Sequence, residues 1–170
     1  KKNGKAIPGF SPEALGKQMM MARRLCESGG GFVTVTNTGW DMHGNAFGVD
    51  DGMPILGPAV DKAVSAFIED CEARGLSEKI LLVITGEFGR TPIINKDGGR
   101  DHWANVQSVL MAGGSYRHGQ VIGSSNAKGE VPHDRPMWPY DVVATMYHHL
   151  GIDPRFTPIT GGPRTRPLLE

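Results

Sequence analysis

Ile80-Leu81-Leu82-Val83-Ile84-Thr85 is a near-continuous apolar run, broken at once by Gly86-Glu87-Phe88-Gly89-Arg90. A half-buried strand alternates apolar and polar residues, and this one does not. Both of its faces must therefore be covered, which is the pattern of a parallel sheet flanked by helices. Upstream, Val60, Val64, Phe67 and Cys71 form an apolar stripe on a helix predicted from about Pro58 to Arg74, with Gly75 as its stop. A stretch with many glycines, about 44–57, precedes that helix. Phe32–Thr36 (FVTVT) reads as a β-branched strand. Residues 1–10 read as loop, and Ser11-Pro12 opens a first helix carrying Leu15, Met19, Ala22 and Cys26. That helix is ended by Gly29-Gly30-Gly31. Downstream, Ser108–Ala112 (SVLMA) predicts a third strand and Gln120–Ile122 an edge strand. Pro139–Leu150 predicts a last helix with Val143, Met146 and Leu150 inward, and 152–170 an irregular tail. The order implies one α/β domain over 1–170, a three-layer α/β/α sandwich with a mostly parallel sheet and right-handed crossovers.

A chain of 170 residues can bury a real core. Lys+Arg 18 against Asp+Glu 18 leaves no basic excess, so nothing here favours a nucleic acid or an anionic membrane surface. No apolar stretch approaches the roughly 20 residues of a spanning helix. Cys26 and Cys71 fall on apolar helix faces and read as buried thiols, since two cysteines make no disulfide framework. Oligomeric state has no signature in the chain. Lys1 opens it without a Met, which suggests the carboxy-terminal part of a longer protein.

Polar residues gather where the apolar runs give way to glycine turns: Asp41 and His43 in GWDMHGN, Glu87 in ITGEFGRTP, and Asp101 and His102 in GRDHW. In open α/β sheets ligands bind outside the carboxyl ends of strands, and Asp41, His43 and Glu87 follow predicted strands there. Residues i and i+2 of extended backbone share a side, so Asp41 and His43 can approach one ion while Met42 turns into packing. Glu87 follows a buried strand, where a carboxylate must be paired, protonated or metal-bound; Arg90 is its salt-bridge alternative. Asp101 and His102 are neighbours, so one of them would support the other rather than bind. Asp41, His43, Glu87 and His102 offer four nitrogen and oxygen ligands without a thiolate. Such a set suits a divalent ion, zinc foremost, with manganese or calcium as alternatives. Arg90 and Arg100 would hold a phosphate or sulfate group. His118 and His133 read as surface-loop residues. His148 and His149 close the last helix, where the dipole favours a cation. Met19-Met20-Met21 reads as a helix face with some core contact.

At these residues the sequence resembles a bacterial family catalogued as domain of unknown function 1501. GWDMHGN, SAFIEDCEARGL, LLVITGEFGRTP, GRDHW, SVLMAGG and GQVIGSS follow its pattern in order, from about Gly31 to Gly151. That family is similar to a distant branch of the alkaline phosphatase and sulfatase superfamily. The resemblance implies an alkaline phosphatase-like fold, here its carboxy-terminal part, and an exported bacterial protein. It also implies that Asp41 and His43 match ligands of a first metal, that Glu87 stands at the Asp of an Asp-His-Gly motif, and that His102 matches a later metal-binding His. PYDVVATMYHHLGID is similar to the helix that packs under the sheet near the end of sulfatases. Phe88 stands where a second His belongs, and the early nucleophile has no counterpart in these residues.

Two functions are therefore expected to compete. One is a metal-dependent hydrolase of phosphate or sulfate esters, acting on a small anionic ester or a sulfated or phosphorylated glycan. In it Arg90 would orient the anion and Asp101 would orient His102. Its nucleophile would be a Ser or Thr upstream, or a water on the ion, so this stretch alone should turn over little. The other is a non-catalytic exported binding or structural protein that keeps the fold and at most one ion.

Overall fold

A computed structural model of the chain describes residues 12–155. The loop expected over residues 1–10, the Ser11 cap, and residues 156–170 of the expected tail lie outside the described residues. Within them the chain forms α1 (Pro12–Glu27), α2 (Val49–Ala73), β1 (Leu81–Ile84), β2 (Gly89–Arg90), β3 (His102–Trp103), β4 (Leu110–Gly113), β5 (Ser124–Ser125), β6 (Pro132–Asp134) and α3 (Pro139–His149).

The first two helices build the core. Leu15 and Met19 of α1 cluster with Ala63 of α2, and Val35, Val60, Val64, Phe67 and Leu82 pack around them. One turn further on, Arg23 of α1 reaches Asp70 of α2. These contacts ascend together along both helices, so α1 and α2 run parallel. Of the three consecutive methionines, Met19 is 7% exposed while Met20 and Met21 are exposed at 41% and 51%. Helical geometry turns successive side chains by about 100°, so only one of the three can face the core.

Both helices end by the same device. Gly75, at φ +65°, donates its N–H to Glu72 O, and Leu76 N–H returns to Cys71 O at 2.8 Å. Gly29, at φ +101°, and Gly30 repeat the pattern onto Cys26 O and Leu25 O. Only glycine takes that left-handed turn cheaply, and the returning amides satisfy carbonyls that the helix end leaves open. Leu76 and Cys71, at 9% and 4% exposure, are buried beside the α2 closure.

α2 begins at Val49, nine residues before the expected Pro58 start, and carries Pro54 and Pro58 inside it. Each proline removes one backbone hydrogen bond and costs about 3 kcal/mol in a helix interior. Capping and packing offset this loss. The Asp51 carboxylate accepts the Gly48 N–H at 3.1 Å, Val49 N–H binds Gly98 O at 2.9 Å, and Leu56 between the prolines is fully buried. A proline at the first helical position and one stabilised mid-helix look the same in sequence.

Strand pairing also departs from expectation. β1 pairs with β4 antiparallel, Leu81 opposite Gly113 and Ile84 opposite Leu110. β2 with β3 and β5 with β6 are antiparallel too, and the described residues contain no parallel pair. All four β1 residues are half-buried, and Leu82 reaches the helical core. Phe32–Thr36 forms no ladder; Phe32 is 69% exposed while Val35 packs on the same helical core as Leu82. Gln120–Ile122 likewise forms no strand, and His133 falls within β6. α3 ends at His149, capped by Leu150, with Gly151 at φ +72° just beyond. Leu150, expected inward, is 41% exposed.

Candidate metal centre

Three chain segments converge on one point. The first is Asp41-Met42-His43, held by its middle residue. Met42 is 9% exposed, and its Sδ lies where a Cβ on Gly52 of α2 would sit, so the segment is pressed onto the helix backbone. Asp41 and His43 are thereby turned the other way, as the sequence suggests. The second is the β2–β3 pair, where Arg90 stands directly opposite His102. The third is the Asn95–Asp101 turn. Asn95 Oδ1 accepts the N–H groups of Asp97 and Gly99, both at 3.0 Å, while its Nδ2 donates to His43 O at 2.9 Å and Asp101 Oδ1 at 3.0 Å. One asparagine thus shapes the turn, holds its Asp101 carboxylate and ties it to the Asp41–His43 segment. Gly99 is required beneath it, since a Cβ there would lie 1.9 Å from the His43 carbonyl carbon.

At the meeting point Asp41 Oδ1 lies 2.9 Å from His43 Nε2 and 3.4 Å from His102 Nε2, and the two Nε2 atoms are 2.9 Å apart. His43 Nδ1 faces Asp101 Oδ1 at 3.2 Å. A carboxylate can only accept, so Nδ1 of His43 carries a proton where it faces Asp101. Asp41 Oδ1, His43 Nε2 and His102 Nε2 meet at one point, where a proton on an imidazole, the Arg90 guanidinium or a metal ion must hold them together.

A divalent ion fits this requirement. Zinc binds imidazole nitrogen and carboxylate oxygen at about 2.0–2.2 Å, which separates neighbouring ligand atoms by about 2.9–3.5 Å over octahedral to tetrahedral angles. The three distances found fall in that range. Asp41, His43 and His102 are therefore the residues that could hold an ion. Arg90 already supplies positive charge at this point: its NH1 donates to Asp41 Oδ1 at 2.7 Å and approaches His43 Nε2 at 3.3 Å. That hydrogen bond first holds the Asp41 carboxyl below its usual range; burial opposes it, and the His102 ring adds to the lowering. The Asp101 carboxyl is likewise held low, by His43 first and Asn95 second.

Several sequence expectations change here. Asp101 orients His43 rather than the adjacent His102, because the turn swings its carboxylate back across the strand pair. Arg90 pairs with Asp41, not with Glu87. Glu87 itself is exposed in the turn after β1 and lies outside the three-residue cluster. Arg100 is directed to the backbone, donating from Nε to Thr91 O. Phe88 packs its ring against His102 with centroids 4.4 Å apart, and the Arg90 guanidinium lies 5.7 Å from the Phe88 ring centre. Asn95 escaped notice in the sequence, although Asn-Lys-Asp-Gly-Gly is a turn signal that marks it. His148, expected at the helix end, is exposed and meets the Tyr116 hydroxyl at 3.3 Å.

No helix among the described residues is long and apolar enough to cross a membrane. No curated protein and no solved structure matches the chain. A family model described as protein of unknown function (DUF1501) matches residues 2–167. On that near-complete match, the chain belongs to the DUF1501 family.

Proposed function

We propose that Asp41, His43 and His102 bind one divalent cation, and that the site serves hydrolysis of a phosphate or sulfate ester, on a small molecule or a glycan. The observation that carries this reading is the convergence of Asp41 Oδ1 and the two Nε2 atoms at the spacings that ligands of one divalent ion take. Two imidazoles and one carboxylate with no thiolate match zinc best, and manganese next. A bound ion would polarise the ester oxygen and take up developing negative charge. The remaining work falls to side chains. Asp101 and Asn95 fix the His43 ring and keep its proton on Nδ1. Arg90, beside the ligands and with a planar donor fork, orients the oxyanion. Phe88 holds the His102 ring in place by packing. An alkaline phosphatase-like α/β/α arrangement belongs to the same proposal. The packing of Leu82 against the α1–α2 core supports it on one side of β1.

A second reading, a non-catalytic binding or structural protein with at most one ion, is favoured by one observation. The cluster contains no Ser, Thr or Cys nucleophile, and Phe88 lies against His102 where another ligand could stand. Metal content by plasma mass spectrometry, on protein purified without chelator or His-tag, tests the metal. Near-stoichiometric zinc or manganese that disappears in His43→Ala is the expected result. Absence of metal, with melting unchanged on adding each ion, would end the first reading and leave the non-catalytic one. Ester turnover that follows the ion separates the first from the second.

A further inference from the structure

We propose that Arg90 is an exchangeable internal cation: it occupies the ligand triangle when no ion is bound, and a divalent ion displaces it onto an incoming tetrahedral oxyanion. Ion and oxyanion then bind cooperatively. This rests on the metal reading above and adds a regulation to it.

The geometry gives the competition directly. Arg90 NH1 lies 2.7 Å from Asp41 Oδ1 and 3.3 Å from His43 Nε2. Those are two of the three atoms that an ion would take. His43 Nε2 has a single lone pair, so the guanidinium N–H and a metal ion cannot both use it, and the ion must push Arg90 off that nitrogen. Arg90 can leave at small cost. It is anchored on β2 opposite His102, its side chain is 22% exposed, and the nearby Phe88 ring gives the guanidinium an apolar surface to slide along.

Charge decides the direction of coupling. With neutral imidazoles, Asp41, Asp101 and Arg90 together carry a charge of about −1, and Arg90 is already neutralised by Asp41. A sulfate or phosphate dianion meets net repulsion there. A divalent ion turns the same group to about +1 and frees the guanidinium, whose fork matches two oxygens of a tetrahedral anion. The anion in turn stabilises the displaced Arg90 and so favours the ion. Coupling of this kind is reciprocal by linkage and typically lies between about 5- and 150-fold.

Titration calorimetry of zinc or cobalt(II) into the chain, in chloride and in sulfate at matched ionic strength, measures it. Visible absorption of cobalt reports the coordination independently of any turnover. For the wild type, ion affinity on the order of tenfold tighter in sulfate is expected. For Arg90→Ala, the ion should bind at least as tightly as to wild type in chloride, and sulfate should no longer shift it. Arg90→Lys keeps the charge without the fork and should retain a reduced shift, which guards against misfolding of the alanine variant. An equal sulfate shift in Arg90→Ala, or weaker ion binding by that variant in chloride, overturns the exchange. Wild-type ion binding with no difference between the two salts overturns the coupling and leaves the metal reading intact. Failure of the wild type to bind any ion overturns both.

Discussion

Two arginine–aspartate pairs lie at opposite ends of this molecule's physics. Arg23 is 3% exposed between α1 and α2, and its Nε meets Asp70 as an ion pair without the alignment of a hydrogen bond. Helix packing brought the two together, and Arg23 and Arg74 both surround the one carboxylate. Arg90 meets Asp41 in the open, where the aspartate side chain is 66% exposed and two imidazoles crowd the same oxygen. That second group is assembled by a glycine turn and one asparagine, with Met42 and Phe88 packing behind two of its residues. The same two residue types thus close a helix pair in one place and border the candidate site in the other. What distinguishes them is the surroundings: Arg23 is buried between the Glu27 and Asp70 carboxylates, whereas Arg90 shares its carboxylate with two imidazoles.

Truncating the helical region should move stability and nothing else. Leu15→Ala, at a buried position of α1, is expected to lose about 2–5 kcal/mol in denaturant melts while ion affinity per folded molecule stays constant. A parallel loss of ion affinity would show that the two regions are not independent.

The reverse experiment is Asp101→Asn. Removing the carboxylate that holds the His43 Nδ1 proton should weaken ion binding about 10- to 100-fold, with melting in the absence of ion nearly unchanged. An unchanged affinity in calorimetry would mean that the turn, not the carboxylate, orients the ring.

Acid separates the regions more gently. Arg74 first, and Arg23 with it, hold the Asp70 carboxyl below its ordinary value of 3.8. A carboxyl whose folded value is depressed stabilises the fold fully above its unfolded value. That contribution disappears as pH falls through the depressed one. Melting temperature should therefore decline below about pH 4, and Asp70→Asn should flatten that limb. A wild-type limb retained in the variant would remove the interhelical pair from the account.

The smallest effect is expected at Glu87. Exposed and outside the cluster, Glu87→Gln should leave ion content and melting unchanged within error. Loss of the ion in that variant would place a fourth ligand in the turn after β1.

The contrast between the two pairs also explains what could be read in the chain. α1 and the stripe of α2 were legible because Leu15, Met19, Val60, Val64, Phe67 and Cys71 repeat at helical spacing, and periodicity survives any tertiary context. The early start of α2 was not, because a proline mid-helix is tolerated only through burial of Leu56 and the Asp51 cap, which are tertiary facts. The strand at 32–36 was legible as composition but not as pairing, since a ladder needs a neighbour the local sequence cannot name. In the site, Asp41, His43 and His102 announced themselves by residue type at glycine turns. Glu87 was expected deep because β1 is apolar, yet β1 is only half-buried and the turn beyond it faces solvent. Which carboxylate would hold which ring was illegible, because it depends on how the Asn95 turn folds back.

Met42 has a consequence of its own. Its sulfur is wedged on the backbone of α2 at Gly52, two residues before a proline that leaves the helix one hydrogen bond short. Anything that shifts Asp41 or His43 must tilt this wedge, and the weakened opening turns of α2 are where the tilt would be felt. Amide exchange in residues 49–57 thus becomes a remote gauge of what sits among the imidazoles, readable without an assay, a substrate or a coloured ion.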